Sequence, residues 1–411
     1  MHQNNGFQSK SDFFFFNRWI LKIAGLWLPE NKTWYVQLIY KIYALTIFIS
    51  MYCFFVMTEF ISLLYTYSDL NDLIKNLSFC LTDLLATGKV VFWYFNIRKL
   101  QRIIQRLEED QLKYERCEDF DPEEIFYSYK IFGVKATGTF LGFGLLTFFA
   151  SCVPPILSTL KVLITNDEFK PQPLVYYAWT PFNYDTPKMY LIAQIYQATS
   201  LISKVQNVVG LDTLIMNLMN FIAYHFTLIQ QAFLTITQRK LQRRISLQNL
   251  TPEEHKIMDK EMKEMCKQVQ KILGICKELE NIQRYLIFFQ TMATLFILCT
   301  CLYLVSSKPL FSDEFFGEAF YLISMGTQFF LFCWFGNEVT LKADQLSMFI
   351  WRSNWIAMSK QFKDSMILTL LILKKPIYFS IGNFGALTLS TFMNIAKTSY
   401  SLFALIQQKS E

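Results

Sequence analysis

Residues 335–355 read FGNEVTLKADQLSMFIWRSNW, and residues 374–408 read KKPIYFSIGNFGALTLSTFMNIAKTSYSLFALIQQ. The second stretch decides the fold. From about Asn383 to Gln408 it is apolar and just long enough to cross a bilayer core of about 30 Å. It runs almost to the last residue of the sequence, so the final span is expected to end the chain.

Composition extends this reading outward. Hydrophobic residues make up 53% of the 411 residues and aromatic residues 17%, whereas charged residues are only 18%. Mean hydropathy is positive, at +0.24. A water-soluble chain of this size would expose far more apolar surface than water tolerates. A multi-span helical membrane protein is the class that fits, because only helices or closed barrels satisfy the backbone in lipid.

Seven spans are expected, at roughly 38–65, 73–95, 129–153, 189–225, 285–306, 318–341 and 383–408. The fourth is too long for one crossing: at 1.5 Å per residue it makes a helix of roughly 55 Å. It is therefore expected to project beyond the membrane near Tyr224 and His225. Positive charge is segregated between the intervening segments. The N-terminus, 96–128, 236–284 and 342–364 together hold 25 Lys and Arg, while 66–72, 154–188, 307–317 and the tail hold 5. The positive-inside rule then places the N-terminus in the cytoplasm and the C-terminus outside. The Phe13–Phe16 run followed by Arg18 does not have the form of a cleavable signal, so the first span is expected to direct insertion.

The chain divides into a cytoplasmic segment 1–37, spans one to four over 38–235 with an outer loop 154–188, a cytoplasmic helical segment 236–284, and spans five to seven over 285–408. Thr251-Pro252-Glu253-Glu254 forms a capping box with Pro at the first helical position. Behind it Met258, Met262, Met265, Val269, Ile272, Cys276 and Leu279 recur at steps of four and three, a heptad seam that faces another helix. Met262, Met265, Val269, Ile272 and Leu279 are the candidate assembly residues. A hairpin closed within the chain, with the Lys240–Ile245 segment, is the alternative. Since Pro is absent between the seam and the fifth span, one helix is expected to run from cytoplasm into membrane. The outer loop is rich in Pro and aromatic residues, which favours an ordered lid.

Catalytic signatures are absent from the sequence. It contains 3 His, and HExxH, phosphate-binding Walker loops and GxSxG are all missing. Asp83 and Lys89 in the second span, and Lys204 and Asp212 in the fourth, are too costly in lipid to stand alone and are expected to pair. Glu59, Lys135 and Lys397 also lie near membrane depth. The sequons at Asn31, Asn76 and Asn249 read as chance matches on this topology. Enzyme chemistry, metal ligation, cofactor binding and nucleic-acid recognition are not expected.

The order Gly336-Asn337-Glu338, then Ser and Trp, then Lys375-Pro376, then Gly, then Ser399-Tyr400-Ser401 closely resembles the C-terminal signature of insect odorant receptors. The Ala178-Trp179-Thr180-Pro181-Phe182-Asn183 run resembles the outer-loop Trp-x-Pro-Phe-Asp element of the same family, with Asn183 in place of the acid. The resemblance implies an all-α, seven-transmembrane protein with an inward N-terminus and a cytoplasmic anchor region where subunits meet. It implies the ligand-specific subunit of a tetrameric, odorant-gated cation channel, assembled with a shared co-receptor in the plasma membrane of a sensory neuron dendrite. Its ligand would be a small neutral volatile, and lipid would surround it.

The family's pocket lies in the outer half of helices two, three, four and six. Carried to this sequence, the pocket candidates are Leu81, Leu141, Leu145, Phe148, Tyr196, Gln197, Phe320, Tyr321 and Ser324, with Trp179 capping them from the outer loop. All are uncharged, which predicts an uncharged ligand. The family's last helix lines the pore, and matching on the Ser-Tyr pair puts Phe403, Ile406 and Gln407 at the gate and outer constriction. Contact of Phe403 with neighbouring helices is the alternative there. A G-protein-coupled heptahelical receptor and a transporter are the competing functions. The first is opposed by the charge asymmetry, the second by the absence of evident inverted repeats or broken helices.

Overall fold

The computed structural model describes residues 12–29, 33–66, 70–109, 114–117, 119–165, 169, 174–180, 182–241 and 250–410. Asn31, Pro181, Asn249, Glu411 and part of the Lys240–Ile245 segment lie outside these residues. The helices are α1 (Phe15–Ile23), α2 (Trp34–Thr66), α3 (Leu70–Glu108), α4 (Pro122–Thr165), α5 (Pro187–Leu234) and α6 (Ile236–Leu241). They continue with α7 (Pro252–Ser307), α8 (Asp313–Arg352), α9 (Lys360–Leu373) and α10 (Leu389–Ser410). A hairpin of β1 (Ser380–Ile381) and β2 (Gly385–Ala386) precedes α10. The result is an all-α, seven-transmembrane fold built from α2, α3, α4, α5, α7, α8 and α10. Of these, α2, α4, α7 and α8 are long and apolar enough to cross a membrane on length and composition alone.

Local sequence sets the helix starts. Thr251 accepts from Glu254 N while the Glu254 carboxylate accepts from Thr251 N, the reciprocal capping box. Ser312 accepts from Phe315 N, and Ser359 accepts from Phe362 N, both at 3.1 Å. Asp121 Oδ1 accepts from the backbone of Glu123 and Glu124 ahead of α4, whose first residue is Pro122. As expected, α7 runs unbroken from the capped end into the membrane.

Two expected boundaries differ. The segment from residue 154, read as loop, begins as helix: α4 passes through Pro154 and Pro155 to Thr165. Pro removes an N–H without reversing the chain, and Ser158 and Thr159 hydroxyls donate to Pro155 O to hold the next turn. The last helix begins at Leu389, not near Asn383, because Gly382 at φ +61° turns the backbone into the hairpin. That hairpin is strapped to α7 by Gly382 N donating to Arg284 O at 3.0 Å. Gly336, the first residue of the Gly-Asn-Glu run, lies so close to it that a Cβ would meet Leu387 O at 2.7 Å.

The core sits in the inner half. Residues 209–226 of α5 are buried on every side. α1 lies against α5, where Phe13 and Phe221 stack at 4.4 Å and Asn17 donates to Thr213 at 2.8 Å. His225 is a packing residue, with Nε2 3.2 Å from Leu107 O.

The heptad seam of α7 is closed inside this chain. Met262, Met265, Val269, Ile272 and Leu279 are all buried in the single protomer. The layer that covers them is not visible in the seam itself. It includes the cytoplasmic end of α3, through Arg106–Glu278 at 2.6 Å, and α9, through Ser359–Asp259 at 2.5 Å. Arg239 anchors the layer. Its side chain is 1% exposed, donates to Glu261 at 3.1 Å and Ala232 O at 2.9 Å, and lies 5.0 Å from the Tyr114 ring. Tyr114 is held protonated well above its ordinary range by burial. These five residues are thus covered within the protomer by α3, α9 and Arg239, while most of the Lys240–Ile245 segment expected to form a hairpin with them lies outside the described residues.

Candidate functional site: a cavity in the outer half of the bundle

Five helices enclose a cavity of about 910 Å³. Its walls come from α3, α4, α5, α7 and α8, and residues 174–177 of the outer loop close over it. On α4 the lining residues include Phe140, Gly144, Thr147, Ser151 and Pro154, spaced by three and four along one face. The expected Leu141, Leu145 and Phe148 lie about 100° round that helix, one residue out of register. Leu141 packs on the main core and Phe148 on Phe149 at 5.4 Å. The cavity face of α4 thus carries mostly small and polar side chains beside Phe140, and the three expected residues lie next to it.

On α8 the cavity face is Gly317, Glu318, Tyr321, Ser324, Met325 and Gln328. Tyr321 and Ser324 were expected. Tyr321 bonds Thr82 Oγ1 at 2.5 Å, and its ring lies 5.3 Å from Phe79, which also lines the cavity. Leu81 packs one layer behind this wall, against the cluster of Ala293, Ile297, Cys301 and Tyr321. Phe320 is half-buried, stacked on Phe316.

Of the remaining expected residues, Gln197 holds the lid, Tyr196 bonds to α2 and Trp179 stands at the surface. Gln197 Oε1 accepts from Tyr176 N at 3.1 Å, and its Nε2 donates to Tyr176 O at 3.0 Å, so one amide side chain clamps one loop residue. Tyr196 donates to Ser50 O at 3.4 Å, in the π-helical stretch Phe48–Phe54 of α2. Trp179 does not cap the site: its side chain is exposed, and only its backbone N–H engages α2, at Thr58 O. The cap is Tyr176, 3% exposed, with its ring 5.2 Å from Phe55 and 5.0 Å from Phe79. Tyr177 donates to Asp72 at 2.6 Å.

Charge was absent from the expected pocket, yet ionisable residues line this cavity. Lys204 of α5 pairs with Asp83 of α3, and Lys89 of α3 pairs with Asp212 of α5 at 2.8 Å. Pairing thus occurs, but across two helices in a crossed arrangement and not within either. Gln328 of α8 donates to Asp212, tying a third helix to this floor. Lys204 Nζ also sits 4.0 Å from the Phe55 ring and 5.0 Å from that of Tyr176, so the floor and lid share one cation. Toward the mouth, Lys75 lies 3.4 Å from Glu318, and Lys308 donates to Glu314 at 2.5 Å. That hydrogen bond holds the Glu314 carboxyl below its ordinary range. The ionisable residues within spans were the signal in the sequence that marked this region.

Helix α10 carries the expected pore residues on two faces. Ser399, 1% exposed, donates to Leu295 O of α7, and Phe403 and Ile406 follow on this half-buried side. Gln407 is exposed, as are Lys397, Tyr400, Ser401 and Ala404.

A seven-helix bundle with a lidded cavity in one half and a buried hub in the other matches solved structures closely. The insect olfactory receptor OR5 of Machilis hrabei, solved in complex with eugenol, aligns with a TM-score of 0.79 over 95% of this chain and 96% of that one, at 16% identity. A second structure of the same receptor aligns with the same TM-score of 0.79, over 98% of this chain and 100% of that one. The profile of the 7tm odorant receptor family matches residues 69–400, well over half of the chain. The chain belongs to this odorant receptor family. Odorant receptor Or1 of Anopheles gambiae is 25% identical over 97% of this chain and 95% of its own length. Odorant receptor 2a of Drosophila melanogaster is 23% identical over 94% of each. The protein is a multi-pass membrane receptor and not an enzyme.

Proposed function

We propose that this odorant receptor is the ligand-binding subunit of an odorant-gated cation channel in the plasma membrane of a sensory neuron dendrite. The cavity carries the proposal. It is roofed by a clamped aromatic residue, walled by Phe79, Tyr321 and Met325, and floored by ion pairs that tie α3, α5 and α8 together. A small, largely apolar molecule fits such a mixed lining. Because each cation at the floor has its acid, the ligand is uncharged at neutral pH. The pocket residues that bear on binding are Tyr321 and Ser324 at the wall, with Gln197, Tyr196 and Tyr176 acting through the lid.

Four chains, this one with co-receptor copies, surround a central path lined by α10. The exposed side of α10, with Gln407, Ser401 and Lys397, turns to that path, and Phe403 and Ile406 border it. Subunits meet through the charged outer faces of the cytoplasmic hub, since the seam is used within the protomer. Ligand-evoked current recorded from the chain with and without a co-receptor tests this reading. A cation current that needs both chains is expected. A response that survives loss of the co-receptor but requires a G protein would overturn it.

A further inference from the structure

Glu318 is a buried carboxylate on the cavity wall with half of its hydrogen-bonding capacity unused. The residue is 6% exposed and lines the cavity. Oε1 lies 3.4 Å from Lys75 Nζ, while Oε2 is buried and has no hydrogen-bond partner among the described residues. The obvious internal donor, the Tyr321 hydroxyl one turn away, is engaged with Thr82. At the inner end of the same cavity, Gln290 Oε1 is likewise buried and without a partner among the described residues. A buried acceptor without a donor is costly, more so when it is charged. Both orphans are acceptors, and both belong to the cavity.

We infer that the cavity selects ligands carrying a neutral hydrogen-bond donor, and that Glu318 Oε2 receives it. The ligand class is a phenol or alcohol with an apolar ring or chain, in place of an ester, ether or hydrocarbon. The donor sits at Glu318, and the apolar body lies along Phe79, Ile297, Leu304 and Met325, which line the same cavity. An ammonium group is disfavoured: Lys75 already balances Glu318, so a second cation would be desolvated with its charge unmatched. The inference rests on the odorant-receptor reading of the cavity.

Methylated twins isolate the donor. In cells expressing the full chain with a co-receptor, half-activating concentrations are measured for para-ethylphenol against para-ethylanisole, and for hexanol against hexyl methyl ether. The hydroxyl member is expected to act at concentrations lower by roughly tenfold or more, the advantage of a hydrogen bond to a charged acceptor. In the Lys75→Met, Glu318→Leu double variant, which leaves neither charge stranded, the gap within each pair should close. Glu318→Gln is the second variant, since its amide adds a donor: it should improve the ethers relative to the hydroxyl compounds. Equal wild-type sensitivity within both pairs would overturn the inference and leave the odorant reading intact, as would hexylamine outperforming hexanol. If none of these probes evokes current, retention of the same pairs by the purified full chain in native mass spectrometry decides. Preferential retention of the hydroxyl member would support the ligand class while the gating reading fails, and equal or no retention would overturn it.

Discussion

The crossed ion pairs at the cavity floor give a sharp test, because they join one charge to four partners of unequal value. Lys204 has a paired acid in Asp83, two aromatic faces in Phe55 and Tyr176, and a second acid nearby in Glu59. Glu59 is 1% exposed, and both of its carboxylate oxygens are buried with no hydrogen-bond partner among the described residues. Lys204→Met removes the only cation paired with Asp83 among the described residues and leaves two acids beside each other. Stranding one partner of a buried pair costs about 3–5 kcal/mol, and the second acid places this variant at the upper end. Asp83→Asn is milder. Lys204 keeps its aromatic contacts, worth up to about 2 kcal/mol when desolvated, and is expected to turn toward Glu59. The Asp83→Asn, Lys204→Met double variant removes both charges and should recover most of the loss.

The predicted order of stability is thus wild type, then the double variant, then Asp83→Asn, then Lys204→Met. Losses of this size are a large part of a net stability of about 5–15 kcal/mol. They are read as surface abundance of the full chain in cells and as the midpoint of thermal aggregation in detergent. The coupling between the two substitutions, from the full cycle, should be several kcal/mol and of rescuing sign. Lys204→Met at wild-type abundance, or a double variant no better than its worse single, would refute the argument that this lysine neutralises the floor.

Other expectations follow from separate parts of the chain. Epitope tags at the two ends, probed in intact cells, should show a protected N-terminus and an accessible C-terminus; staining of the N-terminal tag without permeabilisation would contradict the charge asymmetry. Val269→Asp with Ile272→Asp should cost several kcal/mol and lower the abundance of this chain even when expressed alone, because the seam is filled within the protomer; normal abundance alone, with loss only of the assembled complex, would restore an intersubunit role. Gln407→Glu should change relative cation permeability without reordering ligands, and Phe403→Ala should raise leak; reordered ligands with permeation intact would remove α10 from the pore. External acidification should leave the Lys308–Glu314 contact closed at pH 5: a depressed carboxylate pKa confers stabilisation that is complete above the ordinary range near pH 4 and lost only as pH falls through the lowered value. As the pair is largely exposed, Glu314→Gln should cost under about 1 kcal/mol.

How much the sequence disclosed depended on what each signal measures. Helix starts were legible because a cap is local: Thr251 and Glu254 lie three residues apart and need no knowledge of the rest of the chain. Spans were legible because hydropathy sums over a window, though Gly382 and Pro154 show that a breaker residue alone does not say which way the backbone goes. Faces were much less legible. On α4 the residues at 140, 144 and 147 line the cavity, while those at 141, 145 and 148 do not. In a soluble bundle the bulky apolar face would be the inner one. In a membrane the solvent is itself apolar, so large aliphatic side chains can face outward, and small or polar ones collect where helices approach or a cavity is lined. The same inversion explains the charged residues. Asp83, Lys89, Lys204 and Asp212 were recognised as costly in lipid and so in need of partners, but the choice of partner is a property of the α3–α5 packing. Their cost was the most reliable guide to the cavity: Asp83, Lys89 and Lys204, which lipid would reject, lie together at its floor, with Asp212 paired to Lys89 behind them. In this fold the cavity is marked by the polar residues that the bilayer excludes, and Glu318, a carboxylate on its wall left half-satisfied among the described residues, is where the proposed ligand chemistry should be read.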